Sequence, residues 1–179
     1  MDTITARPYE HAPSRRAVRK LYHTAFPKEE RLPFFALRAL TVREGCNVTA
    51  YYDSDTFVGF TYDATRGNVL YLMFFAVDGE VRGKGYGSAI LSYLKECYPG
   101  KEIVLNIELL DENAENYEER VRRFKFYEKN GFYDTKHNID EVGGTFRVLS
   151  TAREFDADAY LAVFKWLSFG IWRPKITKV

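Results

Sequence analysis

The stretch Val69–Leu94, VLYLMFFAVDGEVRGKGYGSAILSYL, decides how this 179-residue chain is read. It opens on an unbroken apolar and aromatic run, Val69 to Val77, which has the length of a buried strand rather than a full helix. The chain turns through Asp78, Gly79 and Glu80, then enters Arg82-Gly83-Lys84-Gly85-Tyr86-Gly87-Ser88. A helical pattern follows, with Ile90, Leu91, Leu94 and Cys97 spaced to share one face. Strand, glycine-rich turn and helix together suit the holding of phosphate. Glycines let backbone come close to a ligand, and a helix start offers unpaired N–H groups and the positive end of its dipole. Arg82 and Lys84 add two cationic side chains, so the stretch predicts an anion cradle.

The glycine spacing separates this turn from two common nucleotide loops. A P-loop needs four residues between its first glycine and a Gly-Lys-Ser/Thr, and Lys84 comes too early for that. A dinucleotide fingerprint needs G-x-G-x-x-G and an acidic residue about twenty positions on, whereas Gly83, Gly85 and Gly87 alternate singly. The plainer alternative is that the glycines only shape a strand-to-helix turn.

Before this stretch, Thr3 to Arg7 reads as a weak opening strand. Ser14 is placed to cap a helix with Val18, Leu21, Tyr22 and Ala25 on one face. Pro33 suits the first turn of a second helix with Phe34, Leu37 and Leu40, stopping at Gly45. Val48, Ala50 and Tyr52 then alternate with polar residues, Asp53-Ser54-Asp55 turns, and Thr56 to Tyr62 returns as a strand.

After the stretch, Pro99-Gly100 closes the helix and Lys101 to Glu108, KEIVLNIE, reads as a strand. Leu109 to Asn116 is an acidic loop, and Tyr117 to Asn130 a helix with Tyr117, Val121 and Phe124 on one side and Gly131 at its end. Phe132 to Val142 and Thr145 to Ser150 form a hairpin about Gly143-Gly144. Asp156 or Asp158 caps a last helix striped by Tyr160, Val163, Phe164 and Leu167. No repeat or linker interrupts this order, which predicts a single mixed α/β domain over residues 1–179 around one sheet.

Composition narrows the function classes. The chain is 46% hydrophobic and 28% charged with a net charge of +1, so no global field favours nucleic acid or an anionic membrane. Cys46 and Cys97 give neither a disulfide framework nor a metal spacing, and read as free thiols in a reducing compartment. The polar start MDTITARPYE does not read as a secretion signal and no run reaches membrane-spanning length, so the expected location is cytoplasmic. Trp166, Phe169, Ile171 and Trp172 add apolar bulk near the end, with Lys165, Arg173 and Lys175 among them. A membrane-surface helix fits those residues. Packing of a helix over about residues 156–172 on the core, or on a second subunit in a homodimer, fits them better.

Val77 to Ser88 resembles the acetyl-CoA-binding motif of the GNAT superfamily of N-acetyltransferases, with Arg82, Gly85 and Gly87 in register. Phe126-Tyr127-Glu128-Lys129-Asn130-Gly131-Phe132 resembles that family's later signature, a tyrosine-bearing helix followed by glycine and phenylalanine. The pair, in this order with a strand between, carries the resemblance over roughly Val69 to Phe132. It implies a central, mostly antiparallel sheet flanked by helices, and acetyl transfer from acetyl-CoA to the primary amine of a peptide or small molecule. No metal, nucleic acid or stable membrane association is implied.

The resemblance also implies roles. Phe75, Ala76 and Val77 match the strand that bonds the pantetheine arm and the acetyl carbonyl, while Arg82, Gly83, Lys84, Gly85, Tyr86, Gly87 and Ser88 match the pyrophosphate-binding turn. Tyr127 matches the tyrosine beside the leaving sulfur, where a phenol can protonate a departing thiolate. Glu108, at the end of its strand, is the candidate carboxylate to deprotonate the amine, directly or through water; a surface ion pair with an arginine is the competing role. Asp111 and Glu112 follow closely and suit a cationic substrate. His23 and His137 stand alone. Where many members carry an asparagine and a small residue before the tyrosine, this chain has Arg120 and Arg123; with Arg122 these reach the coenzyme's phosphates or lie on a solvated face with Glu118 and Glu119. A non-catalytic acyl-CoA sensor on the same fold is the alternative function.

Overall fold

The computed structural model describes residues 4–10 and 12–179. Its strands are β1 (Thr5–Pro8), β2 (Cys46–Asp53), β3 (Thr56–Arg66), β4 (Val69–Val77), β5 (Glu102–Glu108), β6 (Tyr133–Glu141), β7 (Gly144–Ser150) and β8 (Ile176–Lys178). Its helices are α1 (Ala12–Ala25), α2 (Phe34–Leu40), α3 (Tyr86–Cys97), α4 (Tyr117–Lys129) and α5 (Ala157–Leu167). The described residues form two compact units. One runs up to Ala64 and includes Leu72–Pro99; the other takes Thr65–Tyr71 with Gly100–Val179.

In the first unit, β1 pairs antiparallel with β2, Thr5 opposite Tyr52, and β2 pairs antiparallel with β3, Cys46 opposite Ala64. The rest of β4 lies next to β3. Alternation along the strands, shifted by one residue at a β-bulge where Val58 is left unpaired between Tyr51 and Tyr52, sorts residues to two faces. Tyr52, Phe60, Phe74 and Ala76 meet Val18, Leu21 and Tyr22 of α1 and Leu37 of α2. Tyr51 and Val58 meet Ile90 of α3.

In the second unit, the start of β4 pairs parallel with β5, Val69 opposite Glu102 and Tyr71 opposite Val104. That ladder stops there, while β5 continues to Glu108. β5 then pairs antiparallel with β7, β7 with β6, and β6 with β8. Tyr160, Val163, Phe164 and Leu167 of α5 are all buried, as their stripe predicts. The expected mixed, mostly antiparallel α/β architecture is the one observed.

Three local expectations need correction. Ser14 does not cap α1: it lies inside the helix, wholly buried, with its hydroxyl 3.1 Å from that of Tyr52. Cys97 is exposed, so the buried stripe of α3 is Ile90, Leu91 and Leu94. Tyr117, Val121 and Phe124 are alike half-buried on α4, and the buried side chain of that helix is Tyr127. α5 stops at Leu167 rather than near residue 172, because Phe169 (φ 56°) and Gly170 (φ 82°) enter left-handed conformations. The chain then returns as β8, whose three residues carry too little pattern to be read. Of the expected opening strand, Thr3 lies outside the described residues.

Candidate functional site

The first unit carries the glycine turn. β4 ends at Val77, and the Asp78 carboxylate accepts the Glu80 N–H at 3.1 Å, starting a single turn over Gly79–Val81. Gly83 (φ 82°) and Gly85 (φ 86°) then take the left-handed backbone that side-chain-bearing residues avoid. A Cβ at either would meet nothing within 4 Å, so conformation rather than crowding demands glycine there. Gly85 caps α3, and the first helical bond runs from Ala89 N–H to its carbonyl at 3.1 Å. No side chain caps this end. Arg82 to Gly85 are exposed, and Tyr86, Gly87 and Ser88 half-buried. The Tyr86 hydroxyl donates to Asp53 Oδ2 at 2.5 Å, which ties the start of α3 to the end of β2. All seven expected turn residues therefore lie in one stretch around the start of α3.

Of the three strand residues expected to precede it, Ala76 is buried on the α1–α2 side, and Phe75 and Val77 are half-buried on the Ile90 side. Their placement depends on a residue that the sequence reading passes over. A Cβ on Gly59 would lie 2.5 Å from the Ala76 carbonyl oxygen and 3.2 Å from Val77 Cα. Only glycine lets β3 and β4 approach so closely, and a glycine inside the strand pattern Thr56–Tyr62 is the signal that could have marked it.

The second unit carries Tyr127 and Glu108. Tyr127 is 8% exposed, with the rings of Phe126 and Phe132 at 5.2 and 5.6 Å. Burial pushes its phenol up to about 12, and the Arg123 guanidinium pulls the other way. The hydroxyl is therefore fully protonated at neutral pH. Glu108 is engaged on both oxygens: Asn116 Nδ2 donates to Oε1 at 3.0 Å, Arg120 Nε lies 3.5 Å from Oε1, and Arg123 pairs with Oε2. Arg120 also donates to Asn116 Oδ1 at 2.7 Å and to the Leu109 carbonyl at 2.8 Å. The two arginines thus converge on Glu108, a role different from the solvated face with Glu118 and Glu119.

The remaining candidates have local explanations. Asp111 accepts the Asn113 N–H at 3.0 Å in its own turn, and Glu112 is exposed. His23 Nδ1 lies 2.8 Å from Arg31, and His137 Nδ1 lies 2.7 Å from the Thr135 carbonyl oxygen. Among the described residues, no group of three or more His, Cys, Asp or Glu is placed to hold a metal ion, and no helix is long and apolar enough to cross a membrane.

Known proteins bear on this arrangement in two ways. None of the curated proteins matches the sequence. Solved structures do match in fold. A putative GNAT-family acetyltransferase from Bacteroides thetaiotaomicron superposes with a TM-score of 0.73 at 21% identity, over 94% of this chain and 99% of that one. The ribosomal-protein-S18-alanine N-acetyltransferase of Escherichia coli gives 0.63 at 15% identity, over 87% and 97%. An aminoglycoside 6'-N-acetyltransferase complexed with coenzyme A gives 0.62 at 17% identity, over 85% and 99%. Residues 44–134, which hold the turn, Glu108 and Tyr127, match the family described as the acetyltransferase (GNAT) domain. The chain belongs to the GNAT acetyltransferase family.

Proposed function

We propose that the protein is an N-acetyltransferase that passes the acetyl group of acetyl-CoA to a primary amine by direct attack within a ternary complex. The observation that carries this reading is Tyr127: a phenol enclosed on a helix, held protonated, with a guanidinium beside it. A sensor that only binds acyl-CoA has no use for such a proton.

In this reading the backbone of Arg82 to Ser88 grips the pyrophosphate, with the opening amides of α3 and the Arg82 and Lys84 side chains meeting its charge. Phe75, Ala76 and Val77 align the pantetheine arm, and a strand N–H aimed at the thioester carbonyl stabilises the oxyanion formed as nitrogen attacks. Tyr127 supplies the proton to the departing sulfur. Glu108 is the less suited of the two expected catalytic groups, because Asn116, Arg120 and Arg123 already occupy its oxygens. Its part is to hold Arg123 in place next to the phenol. The acceptor is a peptide or small-molecule amine, the protein works in the cytoplasm, and neither cysteine takes part.

Arg82→Ala is expected to raise the acetyl-CoA dissociation constant about tenfold, the loss of one exposed charge-assisted contact worth roughly 1.5 kcal/mol. Titration calorimetry with acetyl-CoA checks this, and an unaltered constant counts against the cradle. Coenzyme A release across an unbiased amine panel tests the activity itself: release with at least one amine is expected. Tight acetyl-CoA binding with no release on any amine favours the sensor.

A further inference from the structure

The carboxylate of Glu141, at the end of β6, is enclosed in the second unit without a cation to meet it. Its Oε1 and Oε2 each accept from the Tyr71 hydroxyl at 3.1 Å, and Oε1 also accepts from the Asn106 side-chain amide. Asn106 donates its other amide hydrogen to the Tyr71 hydroxyl at 3.3 Å and accepts from the Tyr160 hydroxyl at 3.0 Å. Side chains from β4, β5 and α5 thus gather around one carboxylate carried by β6, and every hydrogen bond it makes is one it accepts.

The charged surroundings are sparse. Among the described residues no lysine, arginine or histidine pairs with Glu141. The titratable groups against it are Tyr71 from β4 and Tyr160 from α5, both held well above the usual phenol range by burial first. On its own strand, His137 faces the Phe155 ring at 5.2 Å, and Asp140 accepts from Thr145 at 2.7 Å. On the β8 side, Lys175 is exposed and meets β6 through its backbone carbonyl. Burying a carboxylate without a counter-charge is costly, and a fold that keeps one is storing it for a use.

The members of the cluster differ in exposure. Tyr71 and Tyr160 are buried, but Asn106 and Glu141 are only half-buried, and the next residue, Val142, is exposed. Asn106 stands just past the end of the β4–β5 ladder and two residues before Glu108, on the same face of β5. Those two positions are about 7 Å apart along the strand. Glu108 in turn holds Arg123, whose charge acts on Tyr127.

We propose that Glu141, framed by Asn106, Tyr71 and Tyr160, is the seat of the acceptor's ammonium group and receives the proton that must leave before nitrogen attacks. This rests on the acetyl-transfer reading above. The ammonium gives one proton to the carboxylate, and the freed lone pair forms the C–N bond to the acetyl carbon. The C–S bond breaks with its electron pair passing to sulfur, which takes the Tyr127 proton. The second proton lost by nitrogen restores the phenol through water, and Glu141 releases its own proton to solvent.

Burial pushes Glu141 up to about 7, opposed by its hydrogen bonds from Tyr71 and Asn106. Ionisation through that value switches the seat on, so kcat/KM for the amine rises with pH to a plateau above about 7. Stability runs the opposite way. A carboxyl raised above its unfolded value of about 4.3 stabilises the fold at low pH, and that contribution is lost as pH rises to about 7.

The test uses the full-length protein with acetyl-CoA and three probes: kanamycin, an alanine-initiated hexapeptide and putrescine. Glu141→Gln is expected to lower kcat/KM for the best acceptor about a hundredfold and to abolish the limb near neutrality, leaving acetyl-CoA affinity unchanged. Its melting temperature at pH 8 should rise, because a buried charge has gone. Tyr71→Phe removes a hydrogen bond to the ionised form and should move the limb to higher pH. A limb that stays in place in both variants overturns the proposal, as does a Glu141→Gln protein that is less stable at pH 8 or does not fold. If wild type binds acetyl-CoA but acetylates none of the three and no amine of the wider panel, the acetyl-transfer reading fails, and the seat is judged by thermal shift alone. An amine that raises the wild-type melting temperature at pH 8 but not that of Glu141→Gln keeps the seat; no difference between the two removes it.

Discussion

Tyr127→Phe is expected to lower turnover about a hundredfold while leaving the acetyl-CoA dissociation constant within about twofold of wild type, the range for loss of one general acid. The substitution removes only an oxygen. The ring keeps its place against Phe126 and Phe132, and the helix keeps its caps, so stability should barely change. The burial that makes the phenol a reluctant acid also makes it a dependable donor. With its ionisation pushed up to about 12, it stays protonated through the neutral and mildly alkaline range, and no loss of activity between about pH 7 and 9 should come from it. Steady-state kinetics beside calorimetric binding separates the effects: unchanged turnover removes the acid role, and a matching loss of affinity makes the hydroxyl a binding group instead.

Gly59→Ala is expected to have the second large effect, on the strand that precedes the turn. The added methyl would stand 2.5 Å from the Ala76 carbonyl oxygen, a backbone atom that cannot swing aside. Relief requires β3 and β4 to separate, an overpacking cost of about 1–3 kcal/mol. At two to four degrees per kcal/mol for a chain of this size, the melting temperature should fall by roughly 5 °C. Because the displaced residues are the candidate pantetheine contacts, acetyl-CoA affinity should fall too, by at least about tenfold. Thermal unfolding with and without acetyl-CoA checks both. Wild-type stability and affinity together would show that the close approach at Gly59 plays no part.

What the sequence made legible follows from which features are local. The apolar run Val69–Val77, the glycines at 83 and 85 and the stripe of α5 each announce themselves within a few residues, and each took its expected form. Tyr127 was legible because it lies inside a short signature. Features made by residues far apart in the chain were not. An ion pair between Glu108 and an arginine was open from the sequence, but nothing near Glu108 says that Arg120 and Arg123, more than ten positions on, are the partners that turn back upon it. Ser14 has the chemistry of a cap but spends its hydroxyl on Tyr52, a partner 38 residues away. Glu141 reads as an ordinary charged residue at a hairpin tip, and only folding brings Tyr71, Asn106 and Tyr160 around it. Gly59 escaped notice because the demand on it comes from the next strand, not from its own backbone.

The central claim is direct transfer of an acetyl group from coenzyme A to an amine. Mass spectrometry of the protein mixed with acetyl-CoA and an accepted amine in a single turnover tests it most directly. The acetyl group is expected on the amine, with one coenzyme A freed per acetyl transferred and none on the protein, Cys46 and Cys97 included. An acetylated protein intermediate, or acetyl-CoA that stays bound and intact with every amine offered, would contradict it.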